Sequence, residues 1–303
     1  MSPLQELRTL IARHAGAERP ATVHTHVPGL IVATSYVPTE PIHHVFEPVF
    51  VLVAQGSKKI MLGERAFRYG AGEYLVVSVD LPISSHVESA SADRPCLSVG
   101  LTLKPATVAT LLLEIAGHAP HVTESDLPGL GVSKAPQELF DAVLRLLRLL
   151  DRPGDALVLG PSVERELLWR LLNGPQGGMV RQIGLADSRL SQISHTIRWI
   201  RANYAQTLRI EDLSEMAGMS VSTFHRHFRA ITTMTPVQYQ KQVRLQEARV
   251  RLLSQPEDVA TVGFSVGYNS PSQFSREYSR FYGVPPGRDA VHLRETAARI
   301  VHS

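Results

Sequence analysis

The spacing of hydrophobic positions changes along the chain, and each change predicts a different kind of structure. Near the start, Leu4, Leu7, Leu10 and Ile11 recur at helical spacing with Arg8 and Arg13 between them, which predicts an amphipathic helix and not a leader peptide. From Leu30 to about Leu103 the pattern becomes short β-rich runs, at residues 31–36, 49–54, 59–62, 74–79 and 96–103. Turn formers separate them at Pro28-Gly29, Gln55-Gly56, Leu62-Gly63, Gly70-Ala71-Gly72 and Leu81-Pro82, as in an antiparallel sandwich or barrel. After Pro105 the helical period returns: Val108, Leu111, Leu112 and Ile115 share a face, and residues 139–150 and 163–172 form two more helices, opened by Pro136 and Pro161. Residues 173–178 are the most turn-rich stretch and read as a linker or hinge, so the division into domains is placed at 1–178 and 179–303. The fold class is α+β, with an N-terminal antiparallel barrel or sandwich followed by helices and a C-terminal all-α domain.

The last third of the chain repeats itself. Asp187 is the expected N-cap of a helix reaching Tyr204, with Leu190, Ile193, Ile197 and Ile200 as its buried stripe. In residues 210–232, Ile210, Leu213 and Ala217 face inward from a short helix. Gly218 allows a sharp turn, and Ser220 caps a second helix that buries Phe224 and Phe228. In residues 258–280 the arrangement returns: Gly267 matches Gly218, Ser270 matches Ser220, Phe274 matches Phe224, Arg276 matches Arg226 and Tyr278 matches Phe228. Two helix-turn-helix units follow, and the second helix of the later one is opened by Pro271 and by a Ser270/Gln273 capping box. The outward positions of the two second helices carry Ser222, His225, Arg226 and Arg229 in one copy and Pro271, Ser272, Ser275 and Arg276 in the other. A helix end bearing small polar residues and one arginine suits a major groove, where a guanidinium bonds guanine O6 and N7. The helix between the units, from Pro236 to about Ser254, spans about 28 Å, comparable with the roughly 34 Å between successive major grooves on one side of DNA. Val243, Leu252 and Leu253 are its expected apolar positions, with Lys241, Arg244, Arg249 and Arg251 outside.

Charge supports this picture only through its distribution. The chain has 31 Lys and Arg against 28 Asp and Glu, yet residues 184–303 hold 15 against 10, so the basic excess lies with the repeated units. Hydrophobic residues make up 44% and charged residues 19%, as in an ordinary folded chain, and no run of about 18 apolar residues suggests a membrane span. A single cysteine, Cys96, fits a reducing, cytoplasmic setting.

Residues 198–288 resemble the DNA-binding domain of AraC/XylS-type transcription regulators. The resemblance is carried by Gly267-Tyr268-Asn269-Ser270-Pro271-Ser272-Gln273-Phe274-Ser275-Arg276 and by Gly283-Val284-Pro285-Pro286. Pro38-Thr39-Glu40-Pro41, Glu47-Pro48, Gln55-Gly56-Ser57-Lys58 and residues 74–82 resemble the β-rich N-terminal domain of one subgroup of that family. The resemblance implies a cupin-like regulatory domain, a small-molecule effector, double-stranded DNA as partner, activation through RNA polymerase, and dimers. Arg209 stands where that family often has Ser or Thr, so the first short helix is expected to be capped less well.

The N-terminal part offers weaker chemistry. Phe46, Phe50, Phe67 and Tyr74 are candidate walls of an apolar effector pocket. His24, His26, His43, His44, His86 and Glu47 are metal-ligand types, but their spacing does not reproduce a metal-binding cupin, and no metal or other cofactor is expected. Cys96 is either a buried small hydrophobe or a thiol activated by Arg94. Leu144, Leu146, Leu147, Leu149 and Leu150 exceed one buried stripe, which suits either a central helix or a dimer interface. A metal oxygenase and a protein-binding module are the rival classes. No triad-like or acid/base constellation stands out, and no enzymatic activity is expected.

Overall fold

A computed structural model describes residues 2–16, 21–115, 128–185, 188–254 and 258–302, with side chains to residue 295. Two antiparallel sheets face each other in the N-terminal half. One has the spatial order β1 (Ala21–His24), β2 (Leu30–Ser35), β9 (Cys96–Thr102), β4 (Val49–Gln55), β7 (Glu73–Val77) and β10 (Leu130–Lys134). The other has the order β3 (Ile42–Phe46), β8 (Leu81–Ser89), β5 (Ser57–Leu62) and β6 (Arg65–Gly70). The five expected runs became β2, β4, β5, β7 and β9. The strands without a clear alternation signal, such as Ile-His-His-Val-Phe in β3, are held by pairing with neighbours, His43 opposite Ser84 and His44 opposite Ile83.

Alternation divides the six-stranded sheet into an inner and an outer face. The outer face carries Val32, Phe50, Leu52, Tyr74 and Val99, all buried under helices. α1 (Pro3–Ala15) lies there, fixed by a capping box in which Ser2 Oγ accepts from the Gln5 amide at 3.3 Å and the Ser2 amide donates to Gln5 Oε1 at 3.0 Å. Its Leu7, Leu10 and Ile11 are buried, as their spacing predicts.

After the sandwich come α2 (Pro105–Glu114), α3 (Gln137–Arg148), α4 (Pro153–Leu172) and α5 (Gly177–Gly184). Pro153, not Pro161, opens α4. Pro161 lies inside the helix, in a stretch where Leu157 and Val158 are solvent exposed. The surplus leucines 144, 146 and 147 of α3 and 149 and 150 just after it are all buried within the chain's own core, while Gln137, Glu138, Asp141, Arg145 and Arg148 form the exposed face of α3, so those leucines supply no outer surface. Gly177 and Gly178 of the turn-rich stretch begin α5 and do not form an open linker.

The helical remainder is α6 (Arg189–Ala202), α7 (Ile210–Met216), α8 (Val221–Thr232), α9 (Pro236–Ser254), α10 (Val259–Ser265), α11 (Pro271–Tyr282) and α12 (Pro286–His302). The expected cap Asp187 lies outside the described residues. Ser188 caps α6, its Oγ accepting from the Ser191 amide at 3.0 Å. One continuous core runs from Leu7 through the sandwich and α3–α6 to Leu213, Phe224, Phe228 and Tyr239. A second, smaller core holds Leu245, Ala248, Leu252, Val262, Val266, Tyr268, Phe274, Tyr278 and Ala290. α9 contributes to both.

Candidate functional site

Two copies of one local construction stand at the C-terminal end. In the first, α7 meets α8 at Gly218 (φ 64°), and Ser220 Oγ accepts from the Thr223 amide at 3.4 Å. Arg209 makes no side-chain cap on α7, as the sequence suggested. In the second, Asp258 caps α10 with bonds from the Ala260 and Thr261 amides at 2.8 and 3.0 Å, and Ser270 Oγ caps α11 from the Gln273 amide at 3.4 Å. The reciprocal half of that expected capping box is absent: Gln273 Nε2 donates to Glu277 Oε1 at 3.3 Å. Gly267 (φ 92°) is doubly constrained, because a Cβ there would lie 2.3 Å from the Ala205 carbonyl oxygen.

The apolar sides of the second helices are buried as phenylalanine and tyrosine pairs. The Phe224 and Phe228 rings lie 5.5 Å apart, and so do Phe274 and Tyr278. This fixes which side faces out. Ser222, Arg226 and Arg229 are exposed with His225 half-buried beside them; Ser272 and Arg276 are exposed with Pro271 and Ser275 half-buried. All eight sequence candidates therefore lie on the sides of α8 and α11 turned from the cores.

The cations of α9 do not face outward as expected; most brace the units. Arg244 donates to the carbonyls of Tyr204 and Gln206 and, at 2.9 Å, of Gly267, tying α9 to the turn of the second unit. Arg249 bonds Asp289 at 2.8 and 3.1 Å and lies 4.6 Å from the Tyr282 ring centroid. Arg251 donates to the Tyr204 hydroxyl at 2.9 Å, and Lys241 lies 3.6 Å from Glu277. Val243 and Leu252 are buried as expected, whereas Leu253 is exposed.

The helical units are fastened to the sandwich. The Tyr239 hydroxyl donates to the Asp80 carbonyl at 2.8 Å, the Gly129 amide to the Ile231 carbonyl at 2.9 Å, and Arg201 pairs with the Asp80 carboxylate. Thr233, which ends α8 with φ 63°, donates through Oγ1 to the Leu62 carbonyl at 3.1 Å. On β3 the adjacent histidines part, as pleating requires. His43 packs against Phe281 and Tyr282 of α11, with centroids at 4.8 and 4.9 Å, while His44 lines the cavity between the sheets. Burial, helped by Arg249 and His44, holds the His43 imidazole down at about 4.

That cavity has a volume of about 440 Å³. Of the four aromatic wall candidates, Phe46 lines it. Phe50 and Tyr74 lie on the outer face of the six-stranded sheet with centroids 5.6 Å apart, and Phe67 sits opposite Ile60, away from the cavity. Ile31, Ile42 and Val51 supply further apolar wall. Cys96 lines the cavity too. Its thiol is pushed up by burial and its charged neighbour is Lys58; Arg94 is exposed to solvent. Among the described residues, His24, His26, His43, His44, His86 and Glu47 do not gather into a group of three that could hold a metal.

Lys58 was not among the sequence candidates. It stands at an inward position of β5, in phase with Ile60 and Leu62, and Gly56 (φ 77°) makes the turn that admits it. Nζ donates to Ser98 Oγ at 2.7 Å. A charged residue in phase with inward aliphatics was the available signal.

Comparison with known proteins gives a consistent result. Residues 26–179 match the family model for the AraC-type transcriptional regulator N-terminus, and residues 213–289 match a helix-turn-helix domain. The chain is 24% identical over 257 residues to the HTH-type transcriptional activator RhaS of Klebsiella pneumoniae, covering 82% of this chain and 88% of that one. It is 22% identical over 251 residues to the uncharacterized HTH-type transcriptional regulator YdeC of Bacillus subtilis, covering 81% and 84%. Among solved structures, an apo point variant of ToxT from Vibrio cholerae superposes with a TM-score of 0.55 at 10% identity, covering 89% of this chain and 100% of that one. Wild-type ToxT bound to an unsaturated fatty acid gives 0.50 at 11%, covering 88% and 97%. The ToxT likeness is one of fold: antiparallel sheets followed by helices.

Proposed function

Since the chain belongs to the AraC-type transcriptional regulators, we propose that it reads a bipartite DNA site through Ser222, His225, Arg226 and Arg229 in one major groove and Pro271, Ser272, Ser275 and Arg276 in the next. The observation that carries this reading is the repeat of cap, turn and exposed arginine in both units. The arginines supply bidentate contacts to guanine, and the neighbouring serines and His225 make the two half-sites differ. Arg226→Ala and Arg276→Ala should each weaken specific binding by about 1–3 kcal/mol in a fluorescence-anisotropy titration, leaving the thermal transition unchanged. Unaltered affinity in both variants would sink this assignment.

The division between regulatory and DNA-binding parts is placed at residue 178, and the regulatory part responds to a small organic effector. In support, the sandwich encloses a cavity, and a ToxT structure of similar fold carries an unsaturated fatty acid. Activation through RNA polymerase, a dimeric state, a cytoplasmic location and the absence of catalysis complete the reading. Sedimentation of the full chain with and without operator DNA tests the dimer.

A further inference from the structure

Lys58 lines the sandwich cavity, and among the described residues it has no counter-ion. It is half-buried, and the side chain faces the cavity. Among the described residues lining that space none is Asp or Glu. Its hydrogen bond goes to Ser98, and its electrostatic neighbour is the Cys96 thiol, which burial holds protonated. Tyr69, opposite Lys58 in the sheet, is likewise kept neutral by burial, and His44 is pushed toward its uncharged form. An ammonium removed from water costs several kcal/mol unless an anion meets it, and a lysine serving only as packing would carry its head out to solvent. Lys58 does neither.

We propose that this cavity binds a small organic anion, a carboxylate on a hydrophobic body, with the carboxylate accepting hydrogen bonds from Lys58 Nζ and Ser98 Oγ and the body lying against Ile31, Ile42, Phe46 and Val51. The inference rests on the effector-responsive reading above and gives it a ligand class. A volume of about 440 Å³ falls within the usual range of small-molecule pockets. Burial lowers the lysine's proton affinity and an arriving carboxylate raises it, so binding weakens as pH rises through the lysine's titration. Occupancy would also reach the DNA-binding part by a short path. Ile42, His44 and Phe46 of β3 line the cavity, while His43 between them touches Phe281 and Tyr282 at the end of α11.

The test is calorimetric titration of the full chain with octanoate and benzoate and with their uncharged counterparts, octanamide and benzamide. At least one acid should bind at least about tenfold more tightly than its amide, and Lys58→Met should remove that preference while retaining wild-type DNA affinity. Ser98→Ala, which leaves the charge in place, should weaken the acid by a smaller factor. Equal binding of acid and amide, undiminished acid binding by Lys58→Met, or no binding of any probe at millimolar concentration overturns the proposal. So does octanal forming a borohydride-trapped adduct at Lys58 while the acids fail to bind, since the lysine would then be a neutral nucleophile. DNA affinity measured with octanoate separates the two readings. Acid binding that leaves DNA affinity unchanged upholds the site and counts against the effector reading; specific DNA binding with no acid site removes only the ligand class.

Discussion

Asp289 is the residue whose loss should separate the two DNA-reading units. It is 3% exposed and joins three helices, accepting from Arg249 of α9 at 2.8 and 3.1 Å and from the Tyr278 hydroxyl of α11 at 2.6 Å while itself lying on α12. Asp289→Ala removes all three acceptor contacts. Arg249 then keeps only its place over the Tyr282 ring. Breaking a buried ion pair from one side costs about 3–5 kcal/mol; because a quarter of the Arg249 side chain is exposed, the lower end, about 3 kcal/mol, applies. At 1.4 kcal/mol per factor of ten, the open population of this unit rises by about two orders of magnitude. Its core is the small cluster of Leu245 through Ala290, with little surplus to absorb the loss. Hydrogen exchange followed by mass spectrometry should show protection falling in α10 and α11 while α7 and α8, which belong to the larger core, keep theirs. Tyr278→Phe, which keeps both the ring pair and the ion pair, should cost only about 1 kcal/mol. Unchanged exchange in α10 and α11, or an equal loss in α8, would refute the argument.

Three other outcomes follow from geometry already given. Gly267→Ala should destabilise the second unit by well over the roughly 1 kcal/mol expected of Gly218→Ala, because both lose a positive-φ glycine but only Gly267 is pressed against the Ala205 carbonyl; paired denaturant melts compare them. His43 is held near 4 against an ordinary value of 6.5, so the undocked state binds more protons between those limits. The contact of β3 with α11 is therefore intact above about 6.5 and weakens as pH falls toward 4, and His43→Phe should flatten that dependence in exchange measurements on α11. Arg249, Asp289 and His44 are the charged or titratable groups acting on it, so the profile is best compared with that of the Asp289 variant. Arg209→Ser should supply the cap that α7 lacks and raise stability by about 1 kcal/mol, read from thermal melts.

The C-terminal units were legible because short-range physics writes them twice. A cap, a glycine and two aromatics four residues apart sit at matching offsets, and burial of Phe224, Phe228, Phe274 and Tyr278 leaves one outward face for Arg226 and Arg276. The sandwich was legible where strands are apolar. It was opaque where a strand is half polar and its partner lies far away in the chain, as for β3 pairing with β8. The cavity wall failed for a related reason. Phe50 and Tyr74 point away from it because the outer face of their sheet is also buried, so hydrophobicity does not reveal the inner side. Lys58 gave the opposite signal, a charge in an inward phase. The cations of α9 looked like a solvated face, and only tertiary neighbours such as the Tyr204 and Gly267 carbonyls and Asp289 show what they hold.

The continuous core has a mechanical consequence. α9 is a beam with one end built in: Tyr239 and Val243 belong to the core that also contains the sandwich, whereas Leu245, Ala248 and Leu252 belong to the second unit alone. The first helix-turn-helix unit shares the sandwich's core, whereas the second is held to the sandwich by α9 and by the packing of Phe281 and Tyr282 on His43. A cut at residue 178 would thus strip the first unit of apolar neighbours across the continuous core and the second only of its contact with β3, so an excised C-terminal fragment should lose grip on one half-site before the other. For the same reason, operators with altered spacing should be accommodated by bending at the far end of the beam, with the first unit setting the register.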